Sequence, residues 1–158
     1  MKFTIRPMEV EDYEQVREVD ASTQRQYLGN TFDEMSEEEQ DIHLVSRKSE
    51  YYINVGTGYC FVAENEEEKI VGFVMAHETL PFHGSLYIHY IGVRPEFQEQ
   101  GVGLLLYKKL IEKAEQSGIK KITGLVNLDN PNSMKLFERA GFKLIDRKQA
   151  VLTLSEKD

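Results

Sequence analysis

The chain of 158 residues has a single cysteine, Cys60, so no disulfide can form within it. Cys60 lies in the apolar run Tyr59–Ala63, and we therefore expect a buried thiol rather than a catalytic nucleophile. One unpaired cysteine gives no sign of an oxidising compartment, which makes the cytoplasm the expected location.

Long hydrophobic runs are also missing, and none approaches the length needed to cross a bilayer. Met1–Pro7 lacks the apolar core of a signal peptide, so we do not expect one there. The net charge of −8 argues against binding to a phosphate backbone over the whole surface and suits a cationic ligand better. We expect neither nucleic acid nor a membrane among the partners.

What the chain does contain is the patterning of one mixed α+β domain covering residues 1–158. The apolar runs that predict strands are 3–6, 59–63, 70–76, 86–93, 121–126, 142–145 and 150–154. Helices are predicted over 11–28, from the capping-box residue Ser36 with Ile42, Leu44 and Val45 on the apolar side, over 102–116 and over 131–140.

Two glycines, Gly101 and Gly103, lie between a buried strand and a predicted helix. Glycine lets a ligand approach the backbone, and the amides at a helix start attract anions, so this loop suits a pyrophosphate. A tight turn explains two glycines equally well. A Rossmann motif is disfavoured because Leu106 stands where its third glycine belongs, and a Walker loop is excluded because Gly-Lys-Ser/Thr is missing.

The segments on either side of the glycine loop favour one interpretation of it. Gln98–Gly103 resembles the Gln/Arg-x-x-Gly-x-Gly/Ala signature of the GNAT superfamily of N-acetyltransferases. Ile91–Phe97 resembles the strand end that precedes this signature, Asn130–Phe142 resembles a later segment of the family, and Ile5–Pro7 is a usual opening. The order of elements agrees along nearly the whole chain.

The resemblance implies a three-layer α/β/α domain with a mixed central sheet of about seven strands, splayed in the middle, and about four helices. It implies an acyltransferase that uses acetyl-CoA as co-substrate and no metal, and that acetylates a small-molecule, side-chain or peptide amine. Family members are often dimers, so a homodimer is among the expected partners.

The resemblance also assigns the cofactor site. The backbone of Ile91, Gly92 and Val93 would hold the pantetheine arm, and the amides from Gln98 to Leu104 would hold the pyrophosphate. Gly92, a glycine inside a buried strand, marks a bulge or a close approach of backbone. The expected cofactor-binding residues are Ile91, Gly92, Val93, Gln98, Glu99, Gln100, Gly101, Val102, Gly103, Leu104, Asn130 and Phe137.

The acid and base are where the sequence departs from the family. Phe137 occupies the position of a frequent Tyr acid, and Leu125 that of a Glu base found in some members. His89 occupies the position of a carboxylate that others carry, and it either acts as the base or fills the sheet face. Tyr87 or Tyr90 is a candidate proton donor, although a thiol pKa of about 8.5 lets thiolate leave without an acid.

The acceptor is expected between the first two helices and the loop after Ala76, with Tyr27, Phe82 and Tyr90 as substrate-binding residues. Core or lid packing explains Tyr27 and Phe82 equally well. Two alternatives stay open: a non-catalytic acyl-CoA-binding or regulatory domain, which Phe137 favours, and a protein N-terminal acetyltransferase.

Overall fold

The computed structural model describes residues 2–44, 48–79 and 84–154. Its strands are β1 Thr4–Pro7, β2 Cys60–Glu64, β3 Ile70–Glu78, β4 Ser85–Val93 and β5 Lys121–Thr123. Its helices are α1 Tyr13–Leu28, α2 Asn30–Glu34, α3 Glu37–His43, α4 Lys48–Gly56, α5 Val102–Gln116 and α6 Pro131–Arg139. Short 3₁₀ turns occupy Val10–Asp12 and Pro95–Phe97.

The strands form one mixed sheet in the order β1-β2-β3-β4-β5. The first four strands are antiparallel neighbours, and β5 pairs parallel to β4. The pairing of β4 with β5 covers only Ser85 to Tyr87, although β4 continues to Val93. The second half of β4 is therefore open on that side, so the sheet splays between its last two strands rather than in its middle.

Helices cover both faces of the sheet. Val16 and Val19 of α1 and Tyr51 of α4 are buried in one core cluster with Phe73 and Met75 of β3. A second cluster holds the buried side of α5 against the other face. Its helical members recur at helical spacing: Val102, Leu106, Tyr107, Leu110 and Ala114. The three-layer arrangement follows from these two apolar faces.

Strand β4 carries a bulge at His89. Met75 of β3 pairs with Tyr90 and Ala76 pairs with Ile88, so the register shifts and His89 has no paired residue on β3. Gly92 is paired regularly with Phe73, and a Cβ on it would lie 2.9 Å from Cε1 of the Phe73 ring. The bulge lies three residues before Gly92, and the group that approaches Gly92 closely is the Phe73 side chain rather than another backbone.

Several element predictions need correction. The described residues contain five strands and six helices rather than about seven and four, and β5 ends at Thr123 rather than at residue 126. The predicted strands 142–145 and 150–154 have no regular structure. Apolar alternation shows that a segment is suited to a sheet, but a strand forms only where its backbone groups find a partner.

The helical region between β1 and β2 also differs from expectation. Ser36 and Glu39 form the predicted capping box, with Glu39 N–H donating to Ser36 Oγ at 3.2 Å. Ile42 of the supposed apolar side is exposed, and Leu44 is buried only after α3 has ended. Val45 lies outside the described residues. Helix α4 was not predicted, since its apolar residues are largely exposed and give no clear stripe.

Cys60 is buried, as predicted, and desolvation raises the pKa of its thiol to about 11. A thiol with so high a pKa is protonated at neutral pH and is a poor nucleophile. None of the helices in the described ranges combines the length and apolar character that crossing a bilayer requires.

Candidate active site

The loop before α5 leads into a helix start whose first amides lack partners within the helix. Gly101 is the residue before the helix, with a φ of 85°, a conformation that favours glycine. The first backbone bond of α5 runs from Leu105 N–H to Gly101 O at 3.0 Å, so the amides from Val102 to Leu104 precede the hydrogen-bonded turn. A Cβ on Gly101 would meet nothing within 4 Å, which leaves open space above the amides.

Gly103 serves a different purpose. A Cβ on Gly103 would lie 2.8 Å from Cδ2 of Leu136, on α6. This glycine therefore allows α5 and α6 to pack closely, which brings α6 to the edge of the same open space. The two glycines of one motif act separately, one on the ligand side and one on the core side.

The open space is the large cleft, with a volume of about 730 Å³, between the second half of β4, the loop, the end of α1 and α6. Its lining is Thr23, Gln26, Tyr27, Ile91, Gly92, Val93, Phe97, Gln98, Glu99, Gly101, Val102, Gly103, Leu104, Asn130, Asn132, Ser133, Lys135, Leu136 and Arg139. Ten of the twelve expected cofactor residues are in this set; Gln100 and Phe137 are not.

Gln98 fixes the entrance of the loop. Its side-chain Nε2 donates to Val93 O at 3.0 Å and to Gln26 Oε1 at 2.8 Å, and Gln26 returns a bond of 3.0 Å. Gln100, by contrast, donates its side-chain amide to Glu96 O at 3.2 Å, within its own turn. Glu99 has a φ of 63° and brings an unfavourable carboxylate to an anion site.

Helix α6 adds groups that sequence reasoning missed. Asn130 caps it, since Asn130 Oδ1 accepts the Ser133 N–H at 3.2 Å, which leaves the side-chain NH₂ as the donor for a ligand. Lys135 and Arg139 lie one turn apart and both line the large cleft. Their i, i+4 spacing on a helix next to the glycine loop was the signal that could have found them.

A smaller inner pocket of about 300 Å³ adjoins the cleft. Its lining is Asp20, Thr23, Gln24, Ile88, His89, Tyr90, Ile91, Tyr107, Leu125, Asn130, Ser133 and Phe137. Four residues line both spaces: Thr23, Ile91, Asn130 and Ser133. The cleft and the pocket therefore form one continuous path along the open edge of β4.

The bulge places His89 at this pocket. Its ring stacks on His77, with centroids 3.9 Å apart, and contacts Tyr87 edge-on at 5.5 Å. His89 is exposed on one side, but its partial burial, and then the charge of His77, lower the pKa of His89 below the usual 6.5. The neutral imidazole is thus the dominant form at neutral pH, as a general base requires.

The three expected substrate residues are not brought together. Tyr90 lines the inner pocket, where desolvation and the charge of Asp20 raise its pKa. Tyr27 lines the large cleft and donates its hydroxyl to Asp129 Oδ2 at 2.9 Å. Phe82 lies outside the described residues.

Phe137 forms an aromatic wall of the inner pocket. Its buried ring stacks on Tyr107, with centroids 5.3 Å apart and planes at 26°. Tyr107, on α5, lines the pocket too, and its hydroxyl is buried without a hydrogen-bond partner. The signal that could have revealed it is a phenol on the otherwise apolar face of α5.

Asp20 is a further residue that the sequence did not reveal. It is only 4% exposed on α1, and it lines the inner pocket. Thr23 Oγ1 contacts its Oδ1 at 3.5 Å. A buried carboxylate beside a pocket of this size favours a cationic or hydrogen-bond-donating ligand.

Together these features fit a class of proteins that bind a long phosphorylated ligand in a cleft, with the anionic part of the ligand at a helix start. The family model described as "Acetyltransferase (GNAT) family" matches residues 18–142. The chain therefore belongs to the acetyltransferase (GNAT) family, in which acetyl-CoA is the acetyl donor.

Two curated relatives are similar over part of their length. The L-methionine sulfoximine/L-methionine sulfone acetyltransferase of Pseudomonas paraeruginosa is 27% identical over 109 residues, which are 67% of this chain and 63% of that protein. The L-2,4-diaminobutyric acid acetyltransferase of Shouchella clausii is 34% identical over 80 residues, which are 51% of this chain and 44% of that protein. The match thus spans less than two thirds of either relative.

Among solved structures, the PaiA N-acetyltransferase of Thermoplasma acidophilum in complex with coenzyme A is similar, with a TM-score of 0.76 and 18% identity. The similarity covers 94% of each chain, and it shows the fold.

The residues present fit acetyl-CoA. The space above Gly101 admits a ligand beside the helix amides, the cations of α6 face the same cleft, and the unpartnered Tyr107 hydroxyl lies at the far end of the path. Within the described part of the chain, no group of three or more His, Cys, Asp or Glu side chains is arranged to hold a metal ion.

Proposed function

We propose that this chain transfers the acetyl group of acetyl-CoA to the primary amine of a small molecule or a side chain, by direct attack in a ternary complex. The observation that carries the proposal is the continuous path from the amides of α5 to His89 and Asp20. A donor and an acceptor brought together at that junction gain the rate advantage of proximity.

The donor end of the site is built from backbone and cations. The amides from Val102 to Leu104 bind the pyrophosphate, and Lys135 and Arg139 pair with the donor's phosphate groups. The edge of β4 from Ile91 to Val93, which β5 does not pair, binds the pantetheine arm through its backbone groups. When bound, acetyl-CoA supplies a thioester whose carbonyl carbon takes the amine nitrogen as its carbon–sulfur bond breaks.

The acceptor end is built from side chains. Asp20 attracts the cationic acceptor, and Tyr90 borders it. The ammonium first releases one proton to solvent and becomes the neutral nucleophile, and His89 accepts the second proton, which the nitrogen loses as the amide forms. The sulfur leaves as a thiolate and needs no dedicated acid. Phe137 packs against Tyr107 and forms an apolar wall of the inner pocket. Phe in place of Tyr at this position therefore removes a hydroxyl from that wall and leaves the acetyl-CoA site unchanged.

The names of the curated relatives support a small amine as acceptor, since they act on methionine sulfoximine or sulfone and on diaminobutyric acid. A buried carboxylate at the acceptor end fits such a cationic amine better than an extended peptide. We therefore rank an amino-acid-like or other small amine above a protein N-terminus.

The test is release of CoA in a panel of small amines, polyamines, aminoglycosides and peptides, run beside thermal stabilisation by acetyl-CoA alone. We expect stabilisation, and turnover with a small cationic amine. Stabilisation without turnover across the panel would favour the non-catalytic acyl-CoA-binding domain. Absence of stabilisation would refute both, and turnover confined to peptide N-termini would favour the alternative acceptor.

A further inference from the structure

Two side-chain atoms among the described residues are buried without a hydrogen-bond partner: Nδ1 of His77 and the hydroxyl oxygen of Tyr107. A buried polar group without a partner destabilises a fold by the cost of its desolvation, so such groups are rare in native proteins. Of these two residues, only Tyr107 lines the inner pocket. A ligand in that pocket can therefore supply the partner that the hydroxyl lacks in the free protein.

The position of this hydroxyl is fixed by its surroundings. The ring of Tyr107 stacks on Phe137 with centroids 5.3 Å apart, and it packs against Phe142 at 5.6 Å. Phe137 and Phe142 also contact each other edge-on, at 5.1 Å. The Tyr107 side chain is fully buried within this group of three rings. A phenol held in this way is preorganised, because it cannot turn its hydroxyl towards bulk water.

The same burial decides what the hydroxyl can do. Desolvation raises the pKa of Tyr107 far above its usual value of 10, so the phenol stays protonated over the working range of pH. A thiolate, whose conjugate acid has a pKa of about 8.5, is too weak a base to take this proton. Tyr107 is therefore suited to donate a hydrogen bond, and it is unsuited to act as a general acid or base.

The groups that the proposed function brings to the inner pocket differ in their ability to accept a hydrogen bond. An ammonium offers donors only, and the lone pair of a neutral amine is used in the attack. The sulfur of a thioester, like that of a thioether, is a weak acceptor. The carbonyl oxygen of the acetyl group is the strong acceptor among them.

We propose that the Tyr107 hydroxyl donates a hydrogen bond to the carbonyl oxygen of the bound acetyl group and stabilises the negative charge that this oxygen gains during attack. The inference rests on the proposed function, which names the acetyl group as an occupant of the pocket. Away from water such a bond is stronger than an exposed one. The residue thus lowers the stability of the free protein and contributes to the reaction when the donor is bound.

The test is Tyr107→Phe, which keeps the stacked ring and removes only the hydroxyl. Calorimetry compares the affinities for acetyl-CoA and for CoA, which lacks the acetyl group. We expect acetyl-CoA affinity to fall about fivefold and CoA affinity to stay unchanged. We expect kcat to fall further, on the order of 100-fold, by the same factor at every pH. Without ligand, the variant should unfold at a higher denaturant concentration than the native protein.

Tyr59→Phe is the matched control. Tyr59 is buried in the same core cluster as Tyr107, but its hydroxyl donates to Glu78 Oε1 at 3.1 Å and it lines neither the cleft nor the pocket. Both affinities and kcat should be unchanged in this variant, and the free protein should become less stable.

Three results with Tyr107→Phe would overturn the proposal. An equal change in the affinities for acetyl-CoA and CoA would show that the hydroxyl does not bind the acetyl group. A change confined to the KM of the amine would assign the hydroxyl to the acceptor, and a loss of kcat that varies with pH would indicate proton transfer. A loss of the preference for acetyl-CoA, in a protein that turns over no amine, would support the hydrogen bond and refute the proposed function.

Discussion

The loop end of the large cleft and the inner pocket lie on one path, but one is lined mainly by backbone groups and the other by side chains. At the loop end the contacts come from backbone amides, and the decisive residues are a glycine in a left-handed conformation and a helix start. At the inner pocket they come from side chains of α1, β4, α5 and α6. Backbone sites demand a recognisable motif, whereas side-chain sites can be assembled from any elements that converge.

The largest effect of a single substitution is expected at Gly101, at the loop end of the large cleft. Gly101→Asp places a carboxylate where we propose that the pyrophosphate binds, and like charges so placed cost several kcal/mol. We expect acetyl-CoA affinity to fall on the order of 100-fold or more. The measurement is thermal stabilisation or calorimetry with acetyl-CoA.

Gly118→Asp is the matched control, because Gly118 follows the other end of α5 with a φ of 75° and the same open space around a Cβ. It should keep full affinity. An equal loss of acetyl-CoA affinity in the two variants would show that backbone strain causes the effect, and it would contradict an anion site at Gly101.

The next largest effect is expected at the inner pocket. His89→Ala removes the proposed base, and we expect kcat/KM to fall ~100-fold or more while acetyl-CoA affinity is unchanged. His77→Ala, which removes the ring stacked on His89 but no pocket residue, should cost far less. A similar loss in both variants would indicate a structural role for the stacked pair.

Substitution of Tyr107 is expected to have a smaller effect, on the free energy of unfolding. Its hydroxyl is buried without a partner in the described structure, so Tyr107→Phe should raise the free energy of unfolding of the free protein by about 1 kcal/mol. Tyr51→Phe removes a hydroxyl that donates to Glu9 O at 2.8 Å and should lower that free energy by about 1 kcal/mol. Opposite signs in chemical denaturation are the expected result; a loss in both would mean that Tyr107 is bonded in solution.

The smallest effect concerns pH. Desolvation and the charge of His77 lower the pKa of His89, so its neutral form persists below pH 6.5 and the acid limb of kcat/KM should lie there. In His77→Gln the charge contribution is gone, the pKa of His89 rises, and the limb should move to higher pH. A limb that stays in place would exclude coupling between the two imidazoles.

The sequence predicted the parts of the fold that local patterns determine. The capping box at Ser36, the buried face of α5 and the glycine loop all depend on residues close together in the chain. The strands predicted at residues 142–145 and 150–154 do not form, because a strand needs a second segment to pair with and the sequence of one segment does not show it. Helix α4 was missed because Tyr51 is its one buried residue, so no apolar stripe marks the helix.

The site residues also divide into those that a local motif predicts and those that only the tertiary fold shows. The loop residues were predicted because their chemistry resides in the backbone that the motif specifies, and they line the cleft except for Gln100. Asp20 and Tyr107 were missed because each lies on the buried side of a helix, where only the tertiary fold shows that a pocket reaches it. The roles of all these side chains stay predictions until the variants are measured.

The bulge at His89 has a consequence for which side chains this strand can accept. Leu86 and Ile88 before it, and Ile91 and Val93 after it, all pack on the α5 side, so removing position 89 would leave an uninterrupted inside–outside alternation. His89 is thus one residue inserted into an otherwise ordinary strand, at a position that the hydrophobic core does not constrain. Substitution there can alter the chemistry of the pocket while the sheet is preserved.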